Sequence, residues 1–179
     1  MADIVEQELA TIELATIDEL TKLTNRRGIL THATHELDLC KRLNVPATAL
    51  FFDLNRFKQI NDQFGHAEGD HALKTFATLL NQTFRACDLV ARLSGDEFFV
   101  LAIDCTADNA QHIIDQLKLA IEAHHRASNA GYDIDFSVGL VSYDAGKHAT
   151  INQLIADADT LRYQHKQPRI QTVLNSAQA

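Results

Sequence analysis

Val5, Leu9, Ile12 and Ala15 recur at the spacing of one helix face, and neither Gly nor Pro occurs in the first twenty residues, so a short helical arm is expected there. Its apolar seam covers about two heptads, which suits a dimerising helix and a helix docked on its own domain alike. Polar residues from Thr21 to Arg27 interrupt the pattern, and a second helix is expected from about Arg27 to Leu43, ahead of Asn44 and Pro46. Ala47 to Asp53 (ATALFFD) is an apolar run ending on a carboxylate, the pattern of a buried strand that delivers Asp53 to its C-terminal edge. Helical spacing resumes from Arg56 to Phe64, breaks over Gly65 to Gly69 and continues to about Phe84. Two strands are expected at Leu89 to Leu93 and Phe98 to Ile103; Gly95 in the short connection between them signals a hairpin. A helix near Asn109 to Ala127, an alternating strand near Ile134 to Tyr143 and a last helix near Ile151 to His165, stopped by Pro168, complete the chain.

Hairpin-linked strands mixed with helical crossovers predict an α+β fold with a central, mostly antiparallel sheet, in preference to a doubly wound parallel one. At 179 residues the chain is long enough for one domain whose core needs no disulfide or structural metal. Its 24 Asp and Glu against 16 Lys and Arg give a net charge of -8, which disfavours non-specific binding to nucleic acid or an anionic membrane face. A polyanionic ligand therefore needs a local site. The acidic N-terminus and the short apolar runs predict neither export signal nor membrane span, and a cytoplasmic location is expected. Cys40, Cys87 and Cys105 are odd in number and widely spaced, as reduced thiols are.

Two acidic positions carry candidate chemistry: Asp53 at a strand end, and Asp96 with Glu97 at a hairpin tip. If strand and hairpin are neighbours, their oxygens converge on a site for Mg²⁺, which takes one or two carboxylates and completes its octahedron with water and substrate phosphates. The alternative is that Asp96 and Glu97 are polar turn residues. Between these positions lies FDLNRFKQINDQFGHAEGD (52 to 70), a strand running into a helix start. Backbone N–H groups of Asn55, Arg56 and Phe57 are expected to lie free there to bind phosphate, with Lys58 adding a positive charge. Asn61 and Asp70 supply the amide and carboxylate suited to a guanine edge. Equally, Asn55 is an ordinary helix cap, Lys58 is solvated, and Asn61 and Asp70 are surface polar residues.

DELTKLTNRR (18 to 27), FDLNRFKQINDQFGHAEGD, SGDEF (94 to 98), SVG (137 to 139) and a last helix with Asp159, Tyr163 and Lys166 follow one another as in the GGDEF family of diguanylate cyclases, which the chain resembles from Asp18 to Arg169. The resemblance implies a fold like the palm of nucleotidyl cyclases and polymerases. It divides the chain into a helical connector (1–20), similar to those that carry input from a sensor domain or partner, and a catalytic domain (21–179). It also implies condensation of two GTP molecules into cyclic di-GMP with release of two pyrophosphates, across a homodimer. Asp53, Asp96, Glu97 and the Leu54 carbonyl are then ligands of Mg²⁺, or of Mn²⁺ in its place. Asp96, Glu97 and Lys58 serve catalysis. Asn61 and Asp70 read guanine, while Asn55, Arg56, Phe57 and Lys166 complete the substrate site. Arg85 and Asp88 form an RxxD pattern with five residues between it and Ser94, the family's spacing for allosteric product inhibition. From the residues alone that pair also fits a surface ion pair.

The chain departs from the family pattern at four places. Ser94 replaces the first Gly of the signature, where a Cβ restricts torsions or ligand approach. Asn55 replaces a frequent Asp, and Lys22 a frequent Gly. Where the family usually reads A-L-Y-x-A-K-x-x-G-R, this chain has Leu161, Arg162, Tyr163, Gln164, His165, Lys166, Gln167, Pro168 and Arg169, which leaves Arg169 one position short. A catalytically silent module that binds GTP or cyclic di-GMP and signals to a partner is the alternative that Ser94 and the altered last helix raise.

Overall fold

The computed structural model describes residues 16–176, with side chains described as far as Gln164. Its elements are β1 (Thr24–Asn25), α1 (Arg26–Leu43), β2 (Ala47–Leu54), α2 (Phe57–Phe64), α3 (His66–Thr83), β3 (Leu89–Ser94), β4 (Glu97–Ile103), α4 (Ala107–Ala127), β5 (Phe136–Ser142) and α5 (Ile151–Ser176). The strands form one sheet in the order β1-β3-β4-β2-β5. Among the described residues only the β1–β3 pairing is parallel, so the sheet is mostly antiparallel, as its sequence pattern predicts.

β2 runs through the middle and is buried on both faces, which is why it reads as an unbroken apolar run. Leu50, Phe52 and Leu54 point into a core shared with Leu73, Phe76 and Leu80 of α3 and Ile114 and Leu117 of α4. Ala49 and Phe51 point the other way, onto Ile29 and Leu37 of α1 and Leu154 and Ala158 of α5. The first core is rich in aromatic rings: Phe52 meets Phe136 at 5.5 Å and Phe76 meets Phe98 at 5.0 Å between centroids, both edge to face. Truncating a fully buried ring of this kind to Ala costs about 3–5 kcal/mol. These two cores clamp the sheet between helix layers and fix the end of β2.

The structure differs from the sequence pattern in four places. Gly65 alone separates α2 from α3, at φ 90°, and Gly69 lies within α3. Gly69 leaves the space that the Asn61 side chain fills, and a Cβ, 1.9 Å from its oxygen, would push that side chain aside. α5 continues through Pro168 to Ser176, past the expected stop: an interior proline removes one donor and strains the helix but need not end it. Of residues 1–20, expected to form a helical connector, 1–15 lie outside the described ones. Ile17, where a helix is expected, forms an antiparallel bridge with Thr24 across a tight turn, and Thr24–Asn25 joins the sheet as β1. Polar residues at a sheet edge carry no apolar period, so β1 is silent in the sequence.

Candidate active site

The β2–β4 ladder sets Asp53 directly opposite Glu97, and the β2–β5 ladder sets it opposite Ser137. Directly opposed residues point to the same face, so the three side chains gather at one end of the sheet. One residue on, Leu54 N–H donates to the Asp96 carbonyl at 3.1 Å and ties the hairpin tip to the strand end. The hairpin turns on Gly95 and Asp96, with Gly95 at φ 40°. Ser94 keeps a negative φ and its hydroxyl donates to Glu97 Oε2 at 2.5 Å, so this serine obeys the strand geometry and the second glycine alone takes the left-handed torsion.

A hard oxygen-ligand cation suits these donors. Asp53, Glu97 and the neighbouring main chain offer oxygens only, and among the described residues no three His, Cys, Asp or Glu cluster as a closed metal cage would require. Oxygen donors are the kind Mg²⁺ takes, one or two carboxylates sufficing when water and phosphates supply the rest. The set does not fit zinc, which favours nitrogen and sulfur ligands.

Arg162 of α5 reaches this place, which sequence reasoning missed. Its Nη1 lies 3.2 Å from Asp53 Oδ2, while Nε and Nη2 donate to Asp159 Oδ1 at 2.8 and 2.7 Å. The guanidinium sits 5.5 Å over the Phe51 ring, and its side chain is 12% exposed. α5 comes this close because residue 139 of β5 is glycine: a Cβ there would stand 1.9 Å from the Ala158 carbonyl and 2.4 Å from the Arg162 nitrogen. This is the physical content of the SVG segment.

The start of α2 corrects one expectation. The Asn55 N–H is not free for a phosphate, because it donates to the Asp135 carbonyl at 2.8 Å. Its side chain is committed too: Nδ2 donates to Asp135 Oδ2 at 2.9 Å and Oδ1 accepts from Ser137 Oγ at 2.7 Å. Asn55 therefore ties β2 to the start of β5. Arg56 caps the helix at φ 58° without a side-chain bond, and Phe57 opens it, so both N–H groups precede the intrahelical ladder. Lys58 is exposed on α2. Asn61 lies over Gly69, next to exposed Asp70, on the corner between α2 and α3.

Arg85 and Asp88 meet on the turn from α3 to β3, away from these residues in the chain. Asp88 is buried and its carboxylate accepts from the N–H groups of Arg85 at 2.8 Å and Ile103 at 3.0 Å as well as from the Arg85 guanidinium. Arg85 is half exposed and also donates to the Ile103 carbonyl. The carboxylate, largest among several causes, keeps the guanidinium firmly charged. The Lys166 side chain lies outside the described ones.

The profile of "Diguanylate cyclase, GGDEF domain" matches residues 15–171. This chain belongs to the GGDEF family. The response regulator PleD of Caulobacter vibrioides is 38% identical over an alignment of 165 residues that covers 87% of this chain and 35% of PleD. The chain thus spans about a third of the length of that relative. Among solved structures, the GGDEF domain of PA1120 (TpbB or YfiN) from Pseudomonas aeruginosa superposes with a TM-score of 0.76 at 31% identity, covering 85% of this chain and 89% of that one. The active GGEEF domain of a diguanylate cyclase from Vibrio cholerae gives 0.74 at 28% identity, over 82% and 92% of the two chains. The palm-like fold that the resemblance implies is therefore the fold of this GGDEF domain. No described helix is long and apolar enough to cross a membrane.

Proposed function

We propose that this GGDEF domain condenses two GTP molecules into cyclic di-GMP, with release of two pyrophosphates. The observation that carries this reading is the convergence of Asp53, Glu97 and the Asp96–Leu54 main-chain link at one end of the sheet, beside the open start of α2. A strand end that gathers carboxylates beside the N–H groups that open α2 suits a metal-bound triphosphate. Asp53, Asp96, Glu97 and the Leu54 carbonyl are the groups that would hold Mg²⁺, or Mn²⁺ in its place. The bound metal would neutralise phosphate charge and favour ionisation of the attacking 3′-hydroxyl.

The chain's own residues position the rest. The N–H groups of Arg56 and Phe57, with Lys58 and Lys166, bind phosphate oxygens. Asp70 accepts the guanine N–H groups and Asn61 pairs with the same edge, which selects GTP over ATP. Glu97 is a second metal-site carboxylate or takes the hydroxyl proton. One domain holds one GTP, so two copies face each other. In each half-reaction a 3′-oxygen bonds to the partner's α-phosphorus, and the α-phosphorus bond to the pyrophosphate oxygen breaks. Product feedback falls to Arg85, the exposed member of its pair, with Asp88 holding the turn that presents it.

Purified protein incubated with GTP and Mg²⁺ over a range of protein concentrations tests the reading. Cyclic di-GMP should rise faster than linearly with protein, disappear in Asp96→Ala, and resist added product in Arg85→Ala. No product at high concentration, after removal of any co-purified cyclic di-GMP, would sink the cyclase reading.

A further inference from the structure

The Arg162–Asp53 contact places a resident cation on a carboxylate that the proposed reaction needs for metal. At this position of the last helix the family pattern usually reads Leu, an uncharged side chain that cannot make this contact. The guanidinium is not a passing visitor. Two of its nitrogens are held by Asp159, its face lies over Phe51, and it is 12% exposed. The helix that carries it is seated on the Gly139 backbone, closer than any side chain at 139 would permit.

We propose that Arg162 holds Asp53 against free divalent cation, so that metal enters this site with the triphosphate and not before it. The inference rests on Asp53 being a metal ligand. A carboxylate oxygen 3.2 Å from a guanidinium nitrogen has already lost part of its attraction for a second cation. A divalent ion on the other oxygen would lie within a few ångströms of a fixed positive charge, in a place with little water to screen it. A metal–triphosphate complex carries net negative charge, which offsets Arg162 where the bare ion does not. The arginine thus acts through Asp53 as a positioning residue, and couples metal occupancy to nucleotide.

Binding of Mn²⁺ to the full, nucleotide-free chain, followed by the electron paramagnetic resonance signal of the free ion, tests this without any turnover. Arg162→Met should bind Mn²⁺ at least about tenfold more tightly than wild type, in line with what one adjacent unit charge does to an ionisation equilibrium. Arg162→Lys, which keeps the charge, should stay near wild type, and Asp53→Asn in the Arg162→Met background should abolish the gain. Should Arg162→Met fail to fold, Arg162→Leu restores the family residue and serves the same purpose. Unchanged or weaker Mn²⁺ binding on removing the arginine overturns the inference and leaves Asp53 as a ligand untouched. A gain that survives Asp53→Asn overturns the ligand assignment itself.

Discussion

Arg92 joins Asp18 to the hairpin tip: its Nη1 lies 3.1 Å from Asp18 Oδ1, while Nε and Nη2 donate to the Gly95 carbonyl at 3.0 and 2.8 Å. Asp18 also accepts from the N–H and hydroxyl of Thr21, at 2.8 and 2.7 Å. One guanidinium therefore ties the turn at the start of the described chain to the loop that carries Asp96 and Glu97. Burial pushes the Asp18 carboxyl up, but the bonds from Thr21 and the Arg92 charge outweigh it and hold the group below its ordinary value. A depressed folded pKa stabilises the fold above the unfolded value and ceases to do so as pH falls through the folded one. Asp18→Asn should cost about 1–2 kcal/mol at pH 7, and the gap to wild type should narrow below about pH 4. Urea midpoints at pH 7 and pH 3 check this; a gap that stays constant would show that the charge is not its source.

Lys22 sits at φ 62°, in the left-handed region, within the turn that Asp18 closes by accepting the Lys22 N–H at 2.9 Å. Family members usually have glycine here, and the torsion explains why. A side chain in this region costs about 1–2 kcal/mol, against about 0.5–1 kcal/mol for the extra freedom glycine loses on folding. Lys22→Gly should therefore raise the melting temperature by roughly 1–4 °C. A fall in calorimetric melting temperature would show that the lysine torsion carries no strain.

Asn55 and Asp135 explain the missing second Asp of the strand-end motif. With Asp135 Oδ2 only 2.9 Å from Asn55 Nδ2, an aspartate at 55 would set two carboxylates against each other, and the amide instead donates. Asn55→Asp should destabilise by about 1–2 kcal/mol at pH 7, and Asp135→Asn added to it should restore most of the loss. The coupling in this double-mutant cycle should be large and of opposite sign to the single costs. Additive effects would mean that the two side chains do not meet.

The major elements were legible because each presents an apolar period: β2 through its unbroken run, α4 through Ala110, Ile114, Leu117 and Ile121 on one face, the hairpin through Gly95. The carboxylates were legible as strand-end and turn acids, which apolar patterning does not explain. What escaped has no local signature. β1 is two polar residues whose place is set by its parallel partner β3. The Asn55–Asp135 bond joins residues 80 apart, and the Arg162–Asp53 contact joins β2 to the last helix. Gly69 and Gly139 read as a helix breaker and a motif letter, and turn out to be spaces filled by Asn61 and by the α5 backbone.

Gly139 supplies the sharpest test of how the site is held. A methyl group there meets main-chain atoms, the Ala158 carbonyl at 1.9 Å and the Arg162 nitrogen at 2.4 Å, and no rotamer change can relieve such a clash. α5 must move outward, taking Leu154 and Ala158 off the sheet and drawing Arg162 from Asp53. Gly139→Ala should cost about 3 kcal/mol, the upper part of the range for overpacking, and lower the melting temperature by roughly 6–12 °C. Gly95→Ala is the control: its Cβ enters open space, so only the φ of 40° opposes it, at about 1–2 kcal/mol. Thermal melts of the two variants separate the mechanisms. If Gly139→Ala melts no lower than Gly95→Ala, the close seating of α5 on β5 does not hold in solution, and the contact of Arg162 with Asp53 goes with it.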